Sequence, residues 1–225
     1  PVPEYEAALP ATPSLAGRRI AVARELMEPV EPEIGALVDA ALAHLARIGA
    51  RRVDVSLPRA VAANVAGEVI IGAEAAVYHE RNMADPARRA LIDPAVRMYV
   101  TSGRTYLATD YVKAQRLRLQ LQADLARVLA EADVLVCPGD PTLTSKIGEP
   151  ARLLGREVAW FEYGTVNLGN LTGAPAISLP CGFTRSGLPV GLQIYGRAFD
   201  EATVLQVAYA YEQSTDWHLR RPSLG

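Results

Sequence analysis

The chain has 225 residues, half of them apolar, and a formal net charge of −2. That length suits one domain, or one large piece of a bigger one, with enough apolar material for a sizeable core. The charge balance leaves no basic footprint, so neither nucleic acid nor a membrane surface is expected as a partner. No uncharged run is long enough to span a bilayer. Cys137 and Cys181 each sit in a strand-like apolar run and read as buried free thiols, consistent with a reducing, cytoplasmic setting. The start, Pro1-Val2-Pro3-Glu4-Tyr5, has neither an initiator methionine nor a signal peptide and reads as the middle of a longer chain.

Pro1 to Ala16 is a surface lead-in rich in Pro and Ala. Arg19 to Arg24 is a short strand. Pro32 to Ile48 is an amphipathic helix with Ile34, Leu37, Val38, Ala41, Leu45 and Ile48 on one face. Gly49 ends it, and Arg51 to Leu57 alternates as a second strand. Strand, helix, strand in this order favours a parallel pair with a right-handed crossover. Val61 to Met83 is apolar on most sides and is expected to be well buried. Arg88 to Tyr99 is helical with an interruption at Pro94. Thr105 to Ala132 is the longest helical run, with a stripe of Ala114, Leu117, Leu121, Leu125 and Val128. Asp133 to Pro138 is a buried strand ending in a rigid Pro-Gly-Asp-Pro loop. Lys146 to Ala159 has little periodicity and reads as loop.

From Tyr163 to Asp200 two strand signals face each other across a turn. Ala176 to Cys181 is the first. Pro189 to Tyr195 is the second, with Val190, Leu192 and Ile194 on one face and Gly191, Gln193 and Tyr195 on the other. Thr184-Arg185-Ser186-Gly187 has hairpin-loop chemistry. Asp200 caps a helix from Glu201 to Glu212, and Trp217 to Gly225 is a polar tail. The whole reads as α/β, a mixed β-sheet flanked by helices.

Several short words in this chain come in a characteristic order. They are Asn170-Leu171-Thr172-Gly173-Ala174-Pro175-Ala176-Ile177-Ser178, then Pro180-Cys181-Gly182, then Gly187-Leu188-Pro189-Val190-Gly191-Leu192-Gln193. Phe199-Asp200-Glu201 and Tyr211-Glu212 follow, and Leu15, Gly17, Ile20, Leu45, Gly49-Ala50 and Leu57-Pro58 precede them. In this the chain resembles the C-terminal half of the amidase signature hydrolases. The resemblance implies that residues 1–225 are the C-terminal part of a single amidase signature domain. It implies hydrolysis of carbon–nitrogen amide bonds by a Ser nucleophile, a bridging Ser in a cis peptide and a Lys base, with no metal or organic cofactor. No Gly-Gly-Ser-Ser run is present, and neither Lys113 nor Lys146 matches the base, so no catalytic residue is expected in this chain. The expected partners are a small-molecule amide and the N-terminal half of the same enzyme or a second chain, with a homodimer possible in principle. A non-catalytic scaffold or binding module that kept the fold, and an A subunit of a tRNA-dependent amidotransferase, are the other readings.

Four residues are candidates for touching substrate. Arg118 belongs to a family helix word with Tyr111 and Ala114-Gln115; in glutamine-using amidotransferase A subunits the arginine of this word binds the substrate carboxylate. At about 100° per residue it lies roughly 40° from Ala114, beside the apolar stripe, while Arg116 falls on the opposite face. A partly buried guanidinium there takes an anion, a substrate or an internal carboxylate; the other reading is a packed stem with its head in water. Tyr163 stands where the glutamine-using enzymes carry an aspartate, which argues against glutamine as substrate; the alternative is a packed Tyr with its hydroxyl on backbone. Asn170 opens the family word and reads first as a side chain that holds a loop, with substrate contact second. Thr142, with Asp140, lies in the loop after the buried strand and could line an entrance. His44, His79 and His218 are scattered, and Glu74 and His79 diverge too far around their helix to form a metal pair.

Overall fold

The computed structural model describes residues 4–159 and 166–222. Among them, β1 (Arg19–Ala23), β2 (Arg51–Val55), β3 (Val134–Pro138), β6 (Ala176–Phe183) and β7 (Pro189–Tyr195) form one sheet. They lie in the order β2-β1-β3-β7-β6. β1 pairs in parallel with β2, Arg19 opposite Arg51, and with β3, Ile20 opposite Val134. β3 pairs antiparallel with β7, Leu135 opposite Tyr195, and β7 antiparallel with β6. The sheet is therefore mixed, and the direction changes at β3. All five residues of β3 are buried, as expected of a strand covered on both faces.

Two cores follow from the alternation of side chains. On one face Val22, Val136, Val190, Leu192 and Ile194 pack against α2 (Pro32–Arg47) and α9 (Glu201–Gln213). On the other, Ala21, Leu135, Cys137 and Tyr195 pack against α3 (Ala60–Tyr78), α7 (Ala108–Glu131) and α8 (Val166–Thr172). The α7 stripe enters this second core, with Ala114, Leu121, Leu125 and Val128 buried and Leu117 packed against it. Arg197 closes the C-terminal end of α7 by donating to the carbonyls of Leu129 and Ala132, each at 2.8 Å. Asp124 is buried on α7 and takes Arg59 at 2.7 Å. Both cysteines are free and buried. Asp200 caps α9, its carboxylate accepting from Thr203 N.

Several elements depart from the sequence reading. The first strand ends at Ala23, and Arg24–Met27 is a helical turn, α1. α3 ends at Tyr78, where His79 breaks it from α4 (Glu80–Ala84). The run around Pro94 is two helices, α5 (Pro86–Ala90) and α6 (Pro94–Ser102). Each has proline in its first turn and an aspartate cap, Asp85 or Asp93. α3 is not buried on most sides either. Val61 and Val65 are 64% and 65% exposed, and Val77 and Tyr78 are more open still. An all-round apolar helix needs neighbours on every side, and here α6, α7 and α8 cover only part of it. By length and composition α3 could cross a bilayer, but it carries Glu68 and Glu74 and sends Ala63 and Ile70 into the core. α7 starts at Ala108 after a 3-10 turn over Gly103–Thr105. The supposed loop before Ala159 holds a small two-stranded ribbon, β4 (Arg152–Leu153) with β5 (Arg156–Glu157). α8 was hidden inside a stretch read only for its strands. In the tail, Trp217–Leu219 is a 3-10 turn, and Trp217 packs against the first core.

β6 is an edge strand eight residues long with no charged side chain. It contains Pro180, and its register with β7 shifts between Pro180 and Gly182.

Two measurements check this packing. Gly103 meets α3 so closely that a Cβ there would lie 1.9 Å from the Gly72 carbonyl oxygen. Gly103→Ala is expected to cost about 3 kcal/mol and to lower the melting temperature by about 6 to 12 °C; a melt matching wild type would refute the contact. His44 joins α2 to α9, with Nε2 2.7 Å from Ser214 Oγ and its ring edge-on to Tyr211. Burial first, and the Arg47 charge second, hold its pKa below the ordinary 6.5. A depressed basic pKa means the unfolded chain takes the proton first. The urea midpoint should therefore fall as pH drops below about 6.5, and less steeply in His44→Gln. Parallel pH curves for the two proteins would exclude this role.

Candidate functional site

The family word folds into α8 and the turn that follows. A helix of seven residues is not stable alone, and its neighbours hold this one by side chains. Leu168 and Leu171 are buried in the second core. Gly169 lets the backbone lie on the Tyr195 ring, where a Cβ would come within 3.0 Å. In the first turn Asn167 Nδ2 donates to Asn64 Oδ1 of α3 at 3.0 Å, both side chains being buried. In the last turn the free carbonyls find donors on α7. Arg118 Nε donates to Leu171 O at 2.7 Å, and Gln122 Nε2 to Thr172 O at 3.0 Å. Thr172 Oγ1 donates back to Leu168 O at 2.6 Å. Gly173 follows at φ +72°, and its N–H donates to Gly169 O, a left-handed residue closing the helix. Two turns before Arg118, Tyr111 donates to Glu74 at 2.9 Å and accepts from Gln115 at 2.9 Å.

Of the four candidate residues, Arg118 and Asn170 come to this α7–α8 wall. Arg118 is half-buried beside the apolar stripe and Arg116 is exposed, as the helical geometry requires. Arg118 has no ion pair among the described residues; its observed partner is a carbonyl, not an internal carboxylate. Asn170 does not hold a loop. It lies inside α8, is exposed, and makes no side-chain hydrogen bond among the described residues; Thr172 and Gly173 do the closing instead. Thr142 is elsewhere. Its N–H and hydroxyl both bind Asp140 Oδ1, at 2.7 and 2.6 Å, and it lines a small depression with Ile34, Thr184 and Leu188 on the α2 side of the sheet. Tyr163 lies outside the described residues. Lys113 is exposed near Asp110, and Lys146 is exposed in its loop.

Sequence reasoning missed Gln122, Asn64 and Asn167. Gln122 was legible in principle, being one turn past Arg118 on the same face. The two asparagines are far apart in sequence, and nothing local pairs them.

A cavity of about 340 Å³ opens on the α2 side of the sheet, away from the α7–α8 wall, between His44, Arg47, Cys181, Tyr211, Ser214 and Trp217. It contains a serine and a histidine in contact, but the hydrogen-bond direction is wrong for a nucleophile. Arg47 faces His44 Nδ1 and can only donate, so a neutral His44 carries its proton on Nε2 and donates to Ser214 Oγ. Ser214 donates in turn to Ala210 O at 2.8 Å. The imidazole thus donates a hydrogen bond to the serine instead of accepting one from it. Burial pushes the Cys181 thiol up to about 12, which leaves no thiolate near neutrality. No cluster of metal-ligating side chains occurs among the described residues.

The family model for Amidase matches residues 1–205. The A subunit of the glutamyl-tRNA(Gln) amidotransferase of Moorella thermoacetica is 36% identical over 249 aligned residues, covering all of this chain and 50% of its own length. The corresponding A subunit from Chloroflexus aggregans is also 36% identical, with 49% of its length covered. Among solved structures, a bacterial aryl acylamidase of the amidase signature family superposes with a TM-score of 0.82 at 20% identity, over 96% of this chain and 47% of that one. The Thermotoga maritima A subunit superposes at 0.66 with 28% identity, over 91% and 44%. The chain thus spans about half the length of the relatives it matches. The family match, the full coverage of this chain by relatives above thirty per cent identity and the shared mixed sheet lead to one assignment: the chain belongs to the amidase signature family of amide hydrolases.

Proposed function

We propose that this chain forms one half of an amidase that hydrolyses carbon–nitrogen amide bonds. A serine nucleophile, a bridging serine and a lysine base, all carried outside this chain, complete the site. The observation that carries this reading is the family word Asn170–Ser178 folded as the end of α8, the Gly173 turn and the start of β6. The exposure of Lys113 and Lys146 supports a base from elsewhere, since a lysine base needs a pKa lowered by burial or by neighbouring charge. The open side of α3 and the uncharged edge of β6 fit a partner region that covers them, either the N-terminal half of the same polypeptide or a second chain.

In the proposed reaction the external serine adds to the amide carbonyl, the C–N bond breaks, and ammonia or an amine leaves. Water then releases the acyl group. The α7–α8 wall holds that acyl group, and the terminal nitrogens of Arg118 face a carboxylate on it. A cytoplasmic location fits the two free cysteines. A second reading, an A subunit of a tRNA-dependent amidotransferase, is favoured by the 36% identity to the Moorella protein. In that case partner subunits hold the RNA, since the net charge of this chain is −2.

Two assays test the proposal. The chain alone should release no ammonia from simple amides, and activity should appear only in the full-length enzyme; turnover by the isolated chain would place the catalytic groups here after all. In the full-length enzyme, Arg118→Ala should raise KM for succinamate by about 10- to 100-fold, the worth of a charge-assisted pair. KM for butyramide, which has a methyl in place of the carboxylate, should hardly change. Arg118→Lys should not restore succinamate, because an ammonium cannot bind the Leu171 carbonyl and present a planar fork together. Equal losses on both amides would make Arg118 structural.

A further inference from the structure

Arg118 and Gln122 are one turn apart on α7 and donate to consecutive carbonyls, Leu171 and Thr172, at 2.7 and 3.0 Å. Neighbours at this spacing project side by side from a helix, so the pair grips the end of α8 as a two-pronged clamp. Gln122 and Thr172 also form the rim of a cavity of about 380 Å³ with Leu125, Leu129, Ala174 and Arg197. If Thr172 moved into that space, the Leu171 carbonyl would move with it. The guanidinium has two edges suited to a carboxylate, one made of Nε and one Nη, the other of both Nη atoms. The bond from Nε to Leu171 O occupies the first, and the second has no partner among the described residues.

We propose that Gln122 is a positioning residue for substrate selection. By pinning the Thr172 carbonyl it fixes the Leu171 carbonyl, and that carbonyl holds Arg118 by Nε with the Nη1–Nη2 edge turned outward. The substrate class this favours is an amide whose acyl part ends in a carboxylate that meets Arg118 end-on. The proposal rests on the reading of Arg118 as the carboxylate-binding residue, and Gln122 touches no substrate itself.

The test uses the full-length enzyme and Gln122→Met, which keeps the length and apolar stem but cannot donate. KM for succinamate should rise about fivefold, the worth of one hydrogen bond, with kcat and the KM for butyramide unchanged. Exchange of the Arg118 Nε–H, followed by NMR in the same protein, should accelerate by a similar factor. Unchanged Nε–H exchange, or a KM change equal for both amides, overturns the clamp. If Arg118→Ala affects both amides alike, the carboxylate reading fails, while the exchange rate still decides whether Gln122 holds Arg118.

Discussion

The structure depends on the burial of β3 from both faces. Val134, Leu135, Val136, Cys137 and Pro138 are all shut off from solvent. Such a strand needs a helix layer on each side and hydrogen-bonded strands along both edges. The two layers are α2 with α9, and α3 with α7 and α8. The two edges are β1, which runs parallel, and β7, which runs antiparallel. The change of strand direction at β3 joins the crossover unit at the start of the chain to the hairpin at its end. Arg197 and Asp133 reinforce this seam, because the turn from α7 into β3 is tied through them to the start of α9 and to β1.

Much of this was legible from residue patterns. The period-two alternation of Pro189 to Tyr195 gave its facing, with Val190, Leu192 and Ile194 in one core and Tyr195 in the other. The 3.6-residue stripe of α7 named the residues that enter the second core. The β1-α2-β2 order implied the parallel pair. What failed did so for a shared physical reason. Helix α3 is apolar on most sides, and composition cannot say on which of them neighbours are lacking. Helix α8 is short, and glycine and threonine obscure its period; side chains from α3 and α7 make it a helix, and local propensity does not.

The candidate site shows the same division. The position of Arg118, half-buried beside the stripe of α7, was legible because helical geometry and a sequence word pointed to the same face. The carbonyl it binds was not, since a helix end fifty-three residues away leaves no mark near position 118. Thr142 was chosen because loops after strands carry function in many proteins, yet its groups are spent on Asp140. The serine and histidine on the far side make the converse point. Their contact resembles a nucleophile with its base until Arg47 is included, and then the proton lies on the other atom.

The irregularity in β6 has a consequence for how the protein can assemble. A long uncharged edge strand invites indefinite stacking of chains, which is how fibrils grow. Pro180 has no N–H to offer, and the register slip beside it breaks the repeat that a stack needs. A strand shaped to the slip can still lie against part of that edge. What the bulge denies is a regular template for identical copies of the chain.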